Sequence, residues 1–314
     1  MEPSDRKLKT RAALEYVNLG RSQMENHLRT ERSKERKDRP IYQFRDFLRE
    51  SIWKWAWYYL RSRFGLKHPY PVYMHPDTGI YEMSSGKTNE IRIAIAGDWA
   101  TNTADAFRVA DHIAAHDPEY TVHIGDIYFV GAPHEVAANF TAKGSAWVRG
   151  SKGSFAILGN HEMYGRGISF FRDLLPTLGI RANSGEYQGQ GAGYFCLETP
   201  QWRIIGIDTG YNAVGLPLIE RLPGHTPDSR LPDSLVDWLK STVKLGDAAD
   251  RRGIVILSHH QYISAFGNGD YLVPAEQLAQ VIGKNRPVIW LWGHEHKFAV
   301  YDKAQLGDGV TAYG

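Results

Sequence analysis

Along this chain, short β-branched apolar runs alternate with stretches of helical periodicity. The runs "IRIAIAGD" (91–98), "YTVHIGD" (120–126), "SFAILGNHE" (154–162) and "GYFCLE" (193–198) read as strands. So do "QWRIIGIDTG" (201–210), "GIVILSHH" (253–260) and "PVIWLWGHEH" (287–296). Helical spacing covers 103–116, "SLVDWLKSTVK" (234–244) and "PAEQLAQVIG" (274–283). Strands interleaved with helices predict an α/β architecture occupying 91–314. The Pro/Gly/Ser-containing passage 70–90 reads as a linker with short strands. The closing stretch "FAVYDKAQLGDGVTAYG" reads as a hairpin around Asp308-Gly309.

Upstream the pattern differs. Residues 41–64 read as an amphipathic helix with Phe44, Phe47, Leu48, Ile52, Trp55 and Tyr59 near helical spacing, closed by Gly65 and Pro69. Residues 1–69 are thus expected to form a basic, largely helical N-terminal extension. Charge sharpens that division. Residues 1–68 hold 17 Lys/Arg and 9 Asp/Glu, a net of +8, while the remainder nets −6. The expected role of the 41–64 aromatics is to pack on the main domain. Contact with an acidic membrane surface or another protein through 1–68 is the competing reading.

Composition excludes some chemistries. At 42% hydrophobic and 23% charged, the chain has a soluble globular balance. A lone cysteine, Cys196, excludes an internal disulfide and a cysteine-based metal cluster. No apolar run approaches the ~20 residues of a membrane-spanning helix. The start "MEPSDRKLKT" lacks a signal peptide's apolar stretch, so a cytoplasmic location is expected. The acidic balance of the main domain disfavours extended nucleic-acid binding, which the basic segment keeps open.

Candidate chemistry collects at the strand ends. Ligands bind beyond the carboxyl ends of strands in open α/β sheets. Five such ends carry Asp98, Asp126, Asn160 with His161, His259 with His260, and His294 with His296. Taken singly, each is an ordinary turn or cap; together they form a set of carboxylate, carboxamide and imidazole suited to Mn, Zn or Fe. His112, His116 and His123 are assigned no role. His260 is a candidate substrate contact, and Glu162 and Glu295 are expected to support the ligands or face solvent.

The series Gly97-Asp98, Gly125-Asp126, Gly159-Asn160-His161-Glu162, His259 and Gly293-His294-Glu295-His296 resembles the calcineurin-like metallophosphoesterase superfamily over roughly 91–302. The resemblance implies a four-layer α/β/β/α sandwich and a hydrolase of phosphate esters with two metal ions at its rim. It implies that Asp126 bridges both metals, that Asp98 and His296 serve one, and that Asn160, His259 and His294 serve the other. It further implies attack by a metal-bridging hydroxide, with His161 stabilising or protonating the leaving oxygen. The substrate class is a phosphorylated small molecule or macromolecule.

The first motif departs from the superfamily's Asp-x-His, because Ala100 stands where the histidine would be. The purple acid phosphatase-like branch also lacks that histidine and uses a tyrosine three residues after the second-motif aspartate. Here that position is Phe129 and the tyrosine is Tyr128. The first metal is therefore under-coordinated, weakly bound, or completed by Tyr128 or water. These departures motivate the alternative of a catalytically silent metal-binding or interaction module. The superfamily usually continues with further strands after Gly-His-x-His, so a truncated C-terminus is also expected.

Overall fold

The computed structural model describes residues 66–85, 90–214, 228–266, 270–284, 286–307 and 310–314, with Trp53, Ala56, Trp57, Tyr58 and Leu60 before them. Two sheets organise the chain. A four-stranded sheet runs β2 (Ile93–Ala96), β3 (Tyr120–His123), β4 (Gly153–Ala156), β5 (Gly179–Ile180) in that order. A seven-stranded sheet contains β1 (Ile80–Glu82), β6 (Phe195–Glu198), β7 (Trp202–Gly206), β8 (Gly253–Ser258), β9 (Arg286–Trp292), β10 (Lys303–Gly307) and β11 (Val310–Tyr313). Its order is β1-β6-β7-β8-β9-β11-β10. The neighbours β2-β3-β4 are parallel, as are β7-β8-β9.

Strand β8 shows why a continuous apolar run is needed. Side chains alternate across a strand. Ile254 and Ile256 join one core with Leu235 and Leu239 of helix α4 (Asp233–Ser241) and Leu278 of α5 (Leu272–Val281). Leu257 joins another core with Val122, Phe155, Phe195 and Leu197, which come from both sheets. Both faces of β8 are covered, so neither can be polar. On the four-stranded sheet, Ala106, Ala110 and Ile113 of α1 (Ala104–Ala115) pack with Ala94 and Ala96 of β2. Small side chains at these positions let helix and sheet approach closely.

The passage at 70–90 is more than a linker. β1 pairs in parallel with β6, and Tyr70 stacks on Tyr194 at 6.0 Å between ring centroids. Two short helices, α2 (Pro133–Val136) and α3 (Asn160–Tyr164), follow strand-end loops. The expected hairpin forms as the antiparallel pair β10–β11, while its turn residues Asp308 and Gly309 lie outside the described residues. Phe44, Phe47, Leu48, Ile52, Trp55 and Tyr59, the expected stripe of the 41–64 helix, also lie outside them. The described Trp53, Trp57 and Leu60 are helical and more than half exposed. Among the described residues, no helix is long and apolar enough to cross a membrane.

Candidate metal centre

The carboxyl ends of β2, β3, β4, β8 and β9 deliver the predicted residues to one rim. The chain leaves three of those strands abruptly. Asp98, Asp126, His294 and His296 take φ values of 58°, 68°, 68° and 51°, in the left-handed region that L-residues avoid. Such positions cost on the order of 1–3 kcal/mol each and cluster at functional sites. Close packing around the carboxylates adds a second constraint. A Cβ on Gly159 would lie 2.1 Å from Asp126 Oδ1, and one on Gly293 would lie 2.2 Å from Asp98 Oδ2. Each glycine leaves room for a neighbouring motif's aspartate.

One group of ligand atoms centres on His259. Its Nε2 lies 3.3 Å from Asp126 Oδ2, 3.1 Å from Asn160 Oδ1 and 3.3 Å from His294 Nδ1. Its Nδ1 donates to the Ile124 carbonyl at 3.0 Å, which turns Nε2 toward the others. A second group centres on Asp98. Its Oδ1 lies 3.2 Å from His296 Nε2 and 3.4 Å from the Tyr128 hydroxyl, which stands 2.6 Å from the same histidine nitrogen. Asp98, Asp126 and His259 offer atoms within 4.8 Å of one another, joining the groups. Ala100 is buried, and its carbonyl accepts the Tyr128 N–H at 3.3 Å. Tyr128 therefore lies alongside the ligand set that Ala100 cannot join.

His161 is oriented differently. Its backbone N–H donates to Asp126 Oδ1 at 3.0 Å, and its Nδ1 donates to the Phe129 carbonyl at 2.5 Å. Nε2 stands 3.7 Å from Asp126 Oδ2, with the side chain 19% exposed. His260 is only 2% exposed, and its backbone N–H and Nδ1 both meet the Thr209 hydroxyl, at 3.1 and 3.0 Å. Its ring packs 4.6 Å from that of His294. Glu295 is buried and accepts from Trp292 Nε1 at 3.2 Å. Glu162 is buried too, and accepts the N–H groups of Gly159, Asp126 and Ile127. Its side chain thus stitches the second motif to the third, a role that no spacing in the sequence announces.

The electrostatics ask for a cation. Among the described residues, the ion-pair partners of Asp98 and Asp126 are histidines. Burial opposes ionisation of both carboxyls, but His259 acting together with His296 and the His294 N–H at Asp98, and with His161 at Asp126, outweighs it and holds both below the ordinary carboxylate range. Burial likewise opposes a charge on His259, yet Asp126 and Asp98 raise it to about 10. The imidazolium proton does what a metal ion would do. His294 is lowered to about 4 by burial and by His259, so it presents a neutral ring. Burial, Asp126 and Asp98 push the Tyr128 hydroxyl well above its usual range. The spacing also fits. With metal–ligand bonds of about 2.0–2.2 Å, ligand atoms at right angles stand roughly 3 Å apart.

This is an α/β protein whose parallel strands end in converging carboxylate, carboxamide and imidazole groups that could hold a metal ion. The model of the calcineurin-like phosphoesterase family matches residues 91–298, and the chain belongs to that family. Its members are generally hydrolases of phosphoester bonds and typically use divalent metals. No curated protein matches the chain.

Proposed function

We propose that this protein hydrolyses a phosphate ester at the rim, with His161 as proton donor to the leaving oxygen. Asp98, Asp126, Tyr128 and His296 would hold one cation; Asp126, Asn160, His259 and His294 would hold a second. When bound, such cations activate water and neutralise phosphoryl charge. The chain's own contribution is orientation and proton handling. Buried Asp126 faces both groups, and its second oxygen is fixed by the His161 N–H.

The observation that carries the reading is the pose of His161. The Phe129 carbonyl engages Nδ1, so Nε2 is the nitrogen beside the ligand groups, 3.7 Å from Asp126. A ring held in this way can deliver a proton from Nε2 to an oxygen leaving phosphorus. General acid help of this kind is worth about 10²–10⁴-fold.

The test is hydrolysis of an alkyl phosphate, whose leaving oxygen needs a proton, by protein reconstituted with Mn, Fe or Zn. Turnover that falls by about 10²-fold or more in His161→Ala, at unchanged metal content, supports the assignment. Metal binding with no turnover under any of these ions refutes it, leaving the catalytically silent module.

A further inference from the structure

We propose that Glu135 is a positioning residue for His161, acting through the peptide between Phe129 and Val130. The inference rests on the proton-donor reading of His161. Every backbone N–H from Asp126 to Ala132 has a partner. Glu162 takes those of Asp126 and Ile127, the Ala100 carbonyl takes that of Tyr128, and the Ile127 carbonyl takes that of Gly131. The remaining three all go to one side chain. Glu135 Oε1 accepts from Phe129 N at 2.7 Å, and Oε2 accepts from Val130 N and Ala132 N, both at 3.0 Å. Glu135 is 7% exposed and sits in α2, immediately after the loop it binds.

The geometry turns on one peptide unit. The carbonyl of Phe129 and the N–H of Val130 belong to the same rigid plane. Glu135 holds that plane by its N–H, and His161 Nδ1 donates to its carbonyl at 2.5 Å. Fixing one end fixes the other, so the carboxylate sets the carbonyl's direction. The carbonyl in turn sets which ring nitrogen carries the hydrogen facing the loop. Hydrogen bonds in series also polarise one another, so a carboxylate at the N–H end makes the carbonyl a better acceptor. Carboxylates commonly orient a functional histidine by direct contact; here the contact passes through a peptide. Asn139 steadies the preceding residue, its Nδ2 donating to the carbonyls of Ala100 and Tyr128 at 2.9 and 3.2 Å.

Glu135→Gln retains shape but replaces one acceptor oxygen with an amide that cannot accept. The metal-reconstituted full chain and this variant are compared on an aryl phosphate, whose leaving group needs no proton, and an alkyl phosphate, whose leaving group does. The alkyl-to-aryl rate ratio should fall about tenfold in Glu135→Gln, with metal content equal to wild type. Glu135→Gln combined with His161→Ala should be little slower than His161→Ala alone, as expected for residues acting through one another. Equal loss on both esters, or a full additive loss in the double variant, overturns the proposal and leaves Glu135 purely structural. Should Glu135→Gln fail to fold, ¹⁵N NMR of the wild-type His161 ring decides instead. A proton on Nδ1 supports the proposal, and a ring carrying hydrogen only on Nε2 overturns it. A wild-type chain that hydrolyses neither ester removes the premise and overturns both readings.

Discussion

Gly159→Ala should disable the centre through a single methyl group. Gly159 has φ −100° and ψ −178°, a conformation alanine adopts freely, so backbone strain is not the issue. The added carbon would meet Asp126 Oδ1 at 2.1 Å and the Asp126 backbone nitrogen at 2.6 Å, whereas ordinary contact begins at 3.4 Å. The carboxylate must retreat by about 1 Å, and a misplacement of that size can cost about 10²-fold in rate. Asp126 faces both ligand groups, so both lose a ligand. Gly293→Ala works the other way, pressing to 2.2 Å on Asp98 Oδ2, which serves only the group around His296. Metal content by mass spectrometry, with affinity by calorimetry, should therefore separate the two variants. Gly159→Ala should lose metal from both groups, and Gly293→Ala chiefly from one. A Gly159→Ala protein that binds metal and turns over like wild type would refute the reasoning.

His296→Ala should cost one metal equivalent before any other single ligand change on that side, and Tyr128→Phe should weaken the same ion roughly tenfold; both are read by calorimetric titration. Adding Mn or Zn to chelated protein should raise the unfolding midpoint, by about 2.7 kcal/mol of stability at 100 times Kd, and chelator should reverse it. Asp208→Asn should change the pH dependence of stability. Burial pushes the Asp208 carboxyl up to about 7, whereas the unfolded chain titrates near the ordinary carboxylate value. Between those values the folded protein keeps a proton that the unfolded chain releases. The Asp208 contribution to stability should therefore fall as pH rises toward about 7, with a slope up to about 1.4 kcal/mol per pH unit. Buried neutral histidines such as His294 contribute in the opposite direction. Urea unfolding at several pH values should show the stability difference between wild type and Asp208→Asn falling with that slope.

The strands were legible because a doubly covered strand is apolar on both faces; β8 has no polar face to blur the pattern. The candidate ligand positions Asp98, Asp126, Asn160, His259, His294 and His296 were legible because each follows a strand end by no more than four residues. What the sequence concealed acts through the main chain. Glu162 and Glu135 look like ordinary helix-start acids; Glu162 reaches the N–H groups of the distant Asp126 turn, and Glu135 gathers three N–H groups from the loop just before it. The turns at Ala137–Thr141 and Phe170–Thr177 are too short to display a helical period. The 70–90 passage read as a linker with short strands because Pro and Gly dominate local signals. Its place in the fold comes from aromatic contacts, such as Tyr73 donating to the Tyr194 carbonyl at 2.6 Å, that only tertiary structure supplies.

The same rim concentrates costs that a metal ion would relieve together. Two carboxylates are taken out of water, four residues are held at positive φ, and an imidazole carries a proton against its burial. None of these stabilises the fold alone, and among the described residues the two carboxylates are balanced by histidines, His259 foremost. A divalent cation brings more positive charge to the same place and needs His259 Nε2 unprotonated, so binding must expel its proton. Metal affinity should then strengthen as pH rises toward the value near 10 that His259 holds without metal. The left-handed exits from the strands fit this account, because they occur at four candidate ligands at once. The glycines at 159 and 293 fit it as well, since each makes room for an aspartate that only a cation fully compensates.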